Sequence, residues 1–377
     1  MCVRHPFGPV PPAQTPPDPD CGDMSHTPGP GTRSGSFLGE VRDAVTPRAT
    51  LLVLGVIALQ LLFIASYVGA LHDPRPKDVP FGVVAPGAAA GQTVDRLEGL
   101  PGSLLDPRTV ADEAVARRQI MNREIDGALV LDPGGRQDTL LVASGGGTVL
   151  ATTLEGIVGK AEQTERRTVR VVDVAPASRH DFDGLSSFYL IVGWCVGGYL
   201  CASILAISTG ARPANPRRAA IRLIVMALVA IVGGLGGAVI IGPILGALPG
   251  GVLDLWGLGA LITFAVGAAT LALQGVFGIV GIGLAILLVV IAGNPSAGGA
   301  FPLPLLPPFW KAIGPALPPG AGTWAARSIA YFKGNDVTAS LLVLWAWAVA
   351  GTVITMLAAV LPRRGRQETE LPPAPAG

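Results

Sequence analysis

Long apolar stretches and one long mixed segment alternate along the chain. Leu51–Leu71 runs without a charge, and about 20 apolar residues are enough for a helix to cross the hydrocarbon core of a bilayer. Ser187–Ser208, Ile221–Gly242 and Ser340–Leu361 repeat the pattern. Val252–Ala292 is longer, with Asp254 as its single charge. As one helix it would measure about 60 Å, twice the core thickness. The pattern therefore predicts two spans there, turning at Gln274-Gly275. The expected fold class is an α-helical polytopic membrane protein with six transmembrane helices. A small α/β extracytoplasmic domain, residues 72–186, is inserted between helices 1 and 2.

Inside that domain the periodicity changes between strand and helix. Val79–Ala85 reads as a strand and Thr93–Leu100 as a short helix. Thr109, with Asp112 three residues on, reads as a capping box opening a second helix. Ala128–Leu131 and Thr139–Ala143 read as strands, with a turn at Gly145-Gly146-Gly147. Val149–Glu165 is a helix with Leu150, Leu154, Ile157 and Val158 at helical spacing, and Val169–Val174 is a last strand.

The remaining segments differ in character. Residues 1–35 are rich in proline and lack apolar periodicity, which reads as a disordered tail; Met24 is an alternative start. In residues 36–48, Phe37, Leu38, Val41 and Val45 share one helical face. This predicts a short interfacial helix, broken from the first span by Pro47; a helical extension of that span is the alternative. Residues 294–339 are apolar but carry prolines at 302, 304, 307, 308, 315, 318 and 319. They read as interfacial or re-entrant short helices, with Trp310, Lys311, Trp324 and Arg327 as headgroup-level anchors. Residues 362–377 form the C-terminal tail.

Composition turns this pattern into a topology. Only 14% of residues are charged and mean hydropathy is +0.53. Of 27 basic and 26 acidic residues, nine lie between Ser187 and Leu361. Arg33, Arg42 and Arg48 precede the first span, Arg212, Arg217 and Arg218 follow the second, and Arg363, Arg364 and Arg366 follow the last. With six spans these clusters fall on one side, which short basic loops mark as cytoplasmic. Both termini are then cytoplasmic and residues 72–186 extracytoplasmic, in a cell membrane. The near-zero net charge gives no footprint for nucleic acid.

Candidate chemistry is sparse. Gly156-Ile-Val-Gly-Lys160 lacks the spacing of a phosphate-binding loop. No histidine falls within a span, and His72 and His180 bracket the external domain, each beside an aspartate. Neither a nucleophile–base pair nor a metal-ligand cluster is visible, so the chain reads as no enzyme and as holding no cofactor. Asp254 falls at an outer helix end and Gln274 at the predicted inner turn. Cys195 and Cys201, six residues apart, read as packing residues. Gly193 with Gly197, and Gly233 with Gly237, stand at helix-packing spacing; packing within the chain and homodimerisation both fit.

Two passages carry a family likeness. Ser187–Tyr199 (SFYLIVGWCVGGY) and Leu306–Gly320 (LPPFWKAIGPALPPG), the latter with Tyr331–Asn335, resemble the second span and the stretch before the last span of YhgE/Pip-like and DUF3533-type membrane proteins. These are relatives of the ABC-2 (type-2 exporter) permeases. Asp126–Pro133 resembles a recurrent strand of their external domain. The resemblance implies a homodimeric permease subunit moving hydrophobic or amphipathic cargo with a separate ATP-binding cassette subunit. It also makes Arg212, Arg217 and Arg218 candidate contacts for that ATPase; orientation signals and lipid contacts explain the same arginines. The other function it implies is an envelope receptor or secretion-apparatus part, working through the external domain without an ATPase.

Overall fold

Helix α1, Pro47–Leu71, opens the part of the chain that the computed structural model describes, residues 46–361. The helix expected over residues 36–48, the N-terminal tail and the C-terminal tail lie almost wholly outside these residues. Pro47 begins α1, the one helical position where its missing N–H costs nothing. The chain divides at Leu54/Gly55 into two units. The first is described only over the opening of α1, and the second holds all the other elements.

The α/β domain contains one more strand than its periodicity predicts. Its elements are β1 (Val79–Val84), α2 (Ala88–Glu98), β2 (Leu105–Thr109), α3 (Glu113–Met121), β3 (Gly127–Val130), β4 (Gln137–Val142), α4 (Thr148–Thr164) and β5 (Thr168–Asp173). They form a sheet ordered β2-β1-β3-β4-β5, parallel except for the β3–β4 pair. Strand β2 is at the sheet edge, where Pro107 is tolerated because one side of an edge strand needs no partner. Thr109 ends this strand and does not open a helix. The cap of α3 is Asp112, whose Oδ1 accepts from the Val115 N–H at 2.8 Å. Phe81, Leu129, Leu140, Leu154 and Val158 are fully buried between the sheet and its helices. Two carboxylates are also fully buried: Asp138 is held by Arg167 and Glu162 by Arg96, each at 2.6 Å. Burial and the Asp138 contact push the Glu162 carboxyl up, while the hydrogen bonds from Arg167 and the Asp132 N–H bring Asp138 below its ordinary value.

Five described helices are long and apolar enough to cross a membrane. They are the Thr50–Leu71 part of α1, α5 (Ser186–Thr209), α6 (Pro216–Ile244), α7 (Val252–Phe277) and α11 (Thr338–Val360). The remaining expected span, fifth in chain order, is shorter: α8, Val280–Ser296, has 17 residues, the lower edge of the range of about 17–25 that spanning helices occupy. The turn between α7 and α8 is not at Gln274-Gly275. Helix α7 runs on to Phe277 and stops at Gly278, whose φ of 65° only glycine adopts freely. Gln274 is therefore inside the helix and fully buried, and neither its Nε2 nor its Oε1 has a partner among the described residues.

The long helices run alternately. The Ser186 N–H at the start of α5 donates to Asp181 of the α/β domain at 2.7 Å, and Ser178 Oγ donates to the Gly246 carbonyl just past α6 at 3.2 Å. At the other end the loop joining α5 to α6 touches the last turn of α7, where Arg212 donates to the Val276 carbonyl. Helix α7 is the hub, and its neighbours approach to backbone contact. A Cβ at Gly198 of α5 would lie 2.6 Å from the Thr263 carbonyl oxygen, and one at Gly234 of α6 2.6 Å from the Ala260 nitrogen. Gly351 of α11 is as close to Ala269. In α8, Pro295 has no N–H for the Ile291 carbonyl four residues back; Ser66 of α1 supplies its hydroxyl to that carbonyl instead.

The proline-rich stretch forms short helices, α9 (Pro308–Ile313) and α10 (Pro318–Tyr331), with single turns between them. Helix α10 is buried over most of its length and packs between the α/β domain and the bundle.

Candidate functional site

Helix α3 ends two residues before an unusual backbone position. Arg123 has a φ of 61°, rare outside glycine, and this directs its side chain onto α10. Its Nη1 donates to the Trp324 carbonyl at 3.0 Å and to Ser328 Oγ at 2.8 Å. The guanidinium carbon stands 3.3 Å from the centroid of the Trp324 ring and 4.8 Å from that of Phe332, a cation–π sandwich. Asn335 Nδ2 ties the same corner by donating to the Met121 carbonyl at 3.0 Å.

Three residues later, Asp126 stands immediately before β3. Its N–H donates to the Pro80 carbonyl at 2.9 Å. Its carboxylate, half-buried, has no hydrogen-bond partner among the described residues. Arg123 and Asp126 line a cavity of about 240 Å³ between the α/β domain and α10, walled by Ile120, Leu150, Leu303 and Phe332 among others. Burial pushes the Asp126 carboxyl up to about 6, against the opposing pull of Arg123 and Lys311. Burial, and then Arg327, bring the Arg123 guanidinium down to about 9.

Arg327, expected as a headgroup anchor, is instead only 4% exposed. Its Nη1 donates to Gly298 O at 2.7 Å, and its Nη2 to Gly299 O at 2.8 Å and Gly184 O at 3.2 Å. Those carbonyls belong to proline- and glycine-broken loops that have no ladder of their own, so the guanidinium takes the place of secondary structure. Arg327 Nε, also lining the cavity region, has no partner among the described residues. Trp324, the second expected anchor, is turned inward: its ring stacks on Arg123 and its Nε1 donates to Asp336. Trp310 stands edge-on to the exposed Phe309, and Lys311 Nζ donates to the Lys77 carbonyl at 3.4 Å. Next to the cavity, buried Asp181 accepts from the Tyr331 hydroxyl.

At the opposite end, Arg217 and Arg218 are exposed in the first turn of α6, whose cap Asn215 accepts from the Arg218 N–H at 2.9 Å. Arg212 is exposed too, though its Nη2 is spent on the Val276 carbonyl. Arg222, in the second turn of α6, is 5% exposed and folds back. It donates to the carbonyls of Thr209, Gly210 and Ala211 and to Thr209 Oγ1. The Thr209 carbonyl is one that the end of α5 leaves open, and the other two follow it in the loop.

His72 bonds the Val68 carbonyl through Nδ1 at 2.8 Å, and the backbone N–H of His180 donates to Ser178 Oγ at 3.3 Å. Among the described residues no three His, Cys, Asp or Glu side chains gather as a metal site. Sequence periodicity leaves out Arg123 altogether. It is one of several arginines near α3, and only its left-handed backbone and the ring beneath it single it out.

No family model, curated protein or solved structure matches the chain, so its function is argued from its own residues.

Proposed function

We propose that this chain is the membrane subunit of an ABC-2-like exporter. In this reading it crosses the membrane six times, α8 being the short fifth span, with both termini cytoplasmic and residues 72–186 outside. It forms a homodimer and moves hydrophobic or amphipathic cargo with a separate ATP-binding subunit. The supporting observation is the separation of two polar poles along the bundle. The α/β domain occupies one pole, and the short loop with exposed Arg212, Arg217 and Arg218 the other. Between them the described spans hold no carboxylate deeper than Asp254, in the first turn of α7. A proton relay needs buried titratable groups, so the energy source is sought in another chain. The fixed geometry of the arginine loop suits a docking point for an acidic surface.

Affinity purification of the full chain from its native membrane tests this. An ATP-binding subunit is expected to co-purify, and the double substitution Arg217→Ala and Arg218→Ala to reduce its recovery several-fold while the chain still melts cooperatively. Failure of any ATPase to accompany the wild type overturns the reading. The second reading, an envelope receptor, is favoured by the cavity beneath the α/β domain; it predicts function without an ATPase and loss of function when that cavity is filled.

A further inference from the structure

We propose that the cavity between the α/β domain and α10 binds a small amphipathic zwitterion, with Arg123 taking its anionic group, Asp126 its ammonium group and the apolar wall its body. This goes beyond the exporter reading and does not depend on it.

The hydrogen-bond inventory of the wall carries the argument. Arg123 uses only Nη1, leaving Nε and Nη2 free of partners among the described residues. Together they form the two-pronged edge that matches a carboxylate or phosphate. The Trp324 ring beneath fixes the plane of that edge. The Asp126 carboxylate is likewise unpartnered among the described residues, and the nearby Arg327 Nε is a buried donor with no acceptor there. Arg327 Nε is the wholly buried one of these groups, and an unpartnered buried donor is uncommon enough in folded proteins to point to a ligand or a functional role; Arg123 and Asp126, half-buried, present their open edges to the same cavity. Arg327 has both terminal nitrogens occupied by three carbonyls, and its charge faces that of the nearby Asp181. Asp336 is engaged with Trp324 Nε1. Among the described residues of the wall, Asp126 is the carboxylate with no hydrogen-bond partner and Arg123 the guanidinium whose two-pronged edge is open, only three residues apart in the chain.

A simple anion would satisfy Arg123 and face Asp126 uncovered, and a simple amine would do the reverse. A group carrying both charges a few bonds apart satisfies the two together. Ile120, Leu150, Leu303 and Phe332 give the body an apolar surround. The cavity of about 240 Å³ lies below the usual range of about 300–1,000 Å³ for ligand pockets, which limits the ligand to the size of a large amino acid or the head region of a lipid. Both sources offer the same paired charges.

The test uses the full chain in nanodiscs of phosphatidylglycerol, a lipid without an ammonium group. Four probes are titrated calorimetrically: L-phenylalanine, phenethylamine, 3-phenylpropanoate and dihexanoyl-phosphatidylethanolamine. The expected result is that L-phenylalanine or the short lipid binds at least tenfold more tightly than both one-charge probes. Whichever of the two is tighter identifies a free amino acid or a headgroup as the source. Asp126→Asn is expected to bring L-phenylalanine to the level of 3-phenylpropanoate while leaving the latter unchanged. Leu303→Trp, which fills the cavity from the loop side, is expected to abolish binding of every probe and stands in if Asp126→Asn does not fold. Equal affinity for a one-charge probe, no binding by any probe, or binding that survives Leu303→Trp overturns the proposal.

Discussion

At Asp126 a single carboxyl group links burial to pH. Its value in the folded chain, about 6, lies above the ordinary 3.8. The folded state therefore binds the proton more tightly than the unfolded chain does. The resulting stabilisation is fully present below about pH 4 and is lost as pH rises through 6. A shift of about two units corresponds to roughly 3 kcal/mol, and partial contact with solvent reduces this to about 1–2 kcal/mol. Thermal melting of the wild type should thus fall between pH 5 and pH 7.5, while Asp126→Asn should be flatter across that interval and more stable at its upper end. A wild-type curve as flat as that of the variant would contradict this account. In the sequence, Asp126 is visible only as the start of a strand-like run, and Arg123 is not visible at all. Both matter because a left-handed residue and a distant helix meet, and a one-dimensional pattern carries no trace of that meeting. The same limit misplaces Arg327 and Trp324. An arginine beside a tryptophan near a membrane suggests headgroup contact, until proline-broken loops supply carbonyls that need a donor.

Among the elements, periodicity locates the bodies well and the punctuation poorly. The five long apolar helices and most strands match the apolar pattern to within a few residues. Strand β2 escapes it because Leu-Asp-Pro-Arg-Thr has too few apolar positions for an edge strand to announce itself. The α7–α8 turn falls at Gly278 because the stop needs a positive φ, whereas Gly275 stays helical. Glycine spacing is ambiguous for a similar reason. Gly193 and Gly197 meet nothing within 4 Å, while Gly198 faces the α7 backbone. Gly197→Ala should therefore change unfolding in detergent by no more than about 0.5 kcal/mol, since it adds helix propensity at an open site. Gly198→Ala should cost about 1–3 kcal/mol through overpacking. Similar melting of the two variants would show that α5 and α7 are not packed as described.

For the whole molecule, the arrangement of poles makes a topological forecast. Reporter fusions at residue 130, in β3, and at residue 215, ahead of α6, are expected to report opposite sides of the membrane, the first outside and the second inside. Reporting from the same side would refute the six-span assignment. The basic loops make this forecast legible in the sequence, because charge asymmetry acts along the chain and needs no tertiary information. The docking of the α/β domain onto α10 is not legible there, since it depends on side chains about 200 residues apart, as in the bond from Arg123 to Ser328.

The arginine loop, at the end of the bundle away from the α/β domain, has a mechanical consequence. Arg222 fastens the loop to the end of α5 from within α6, and Arg212 fastens it to the end of α7. Three helices thus converge on one short handle. A push or twist applied there reaches all three as a single displacement, and because α7 is the hub, its motion is passed on to α11 through the close approach at Gly351.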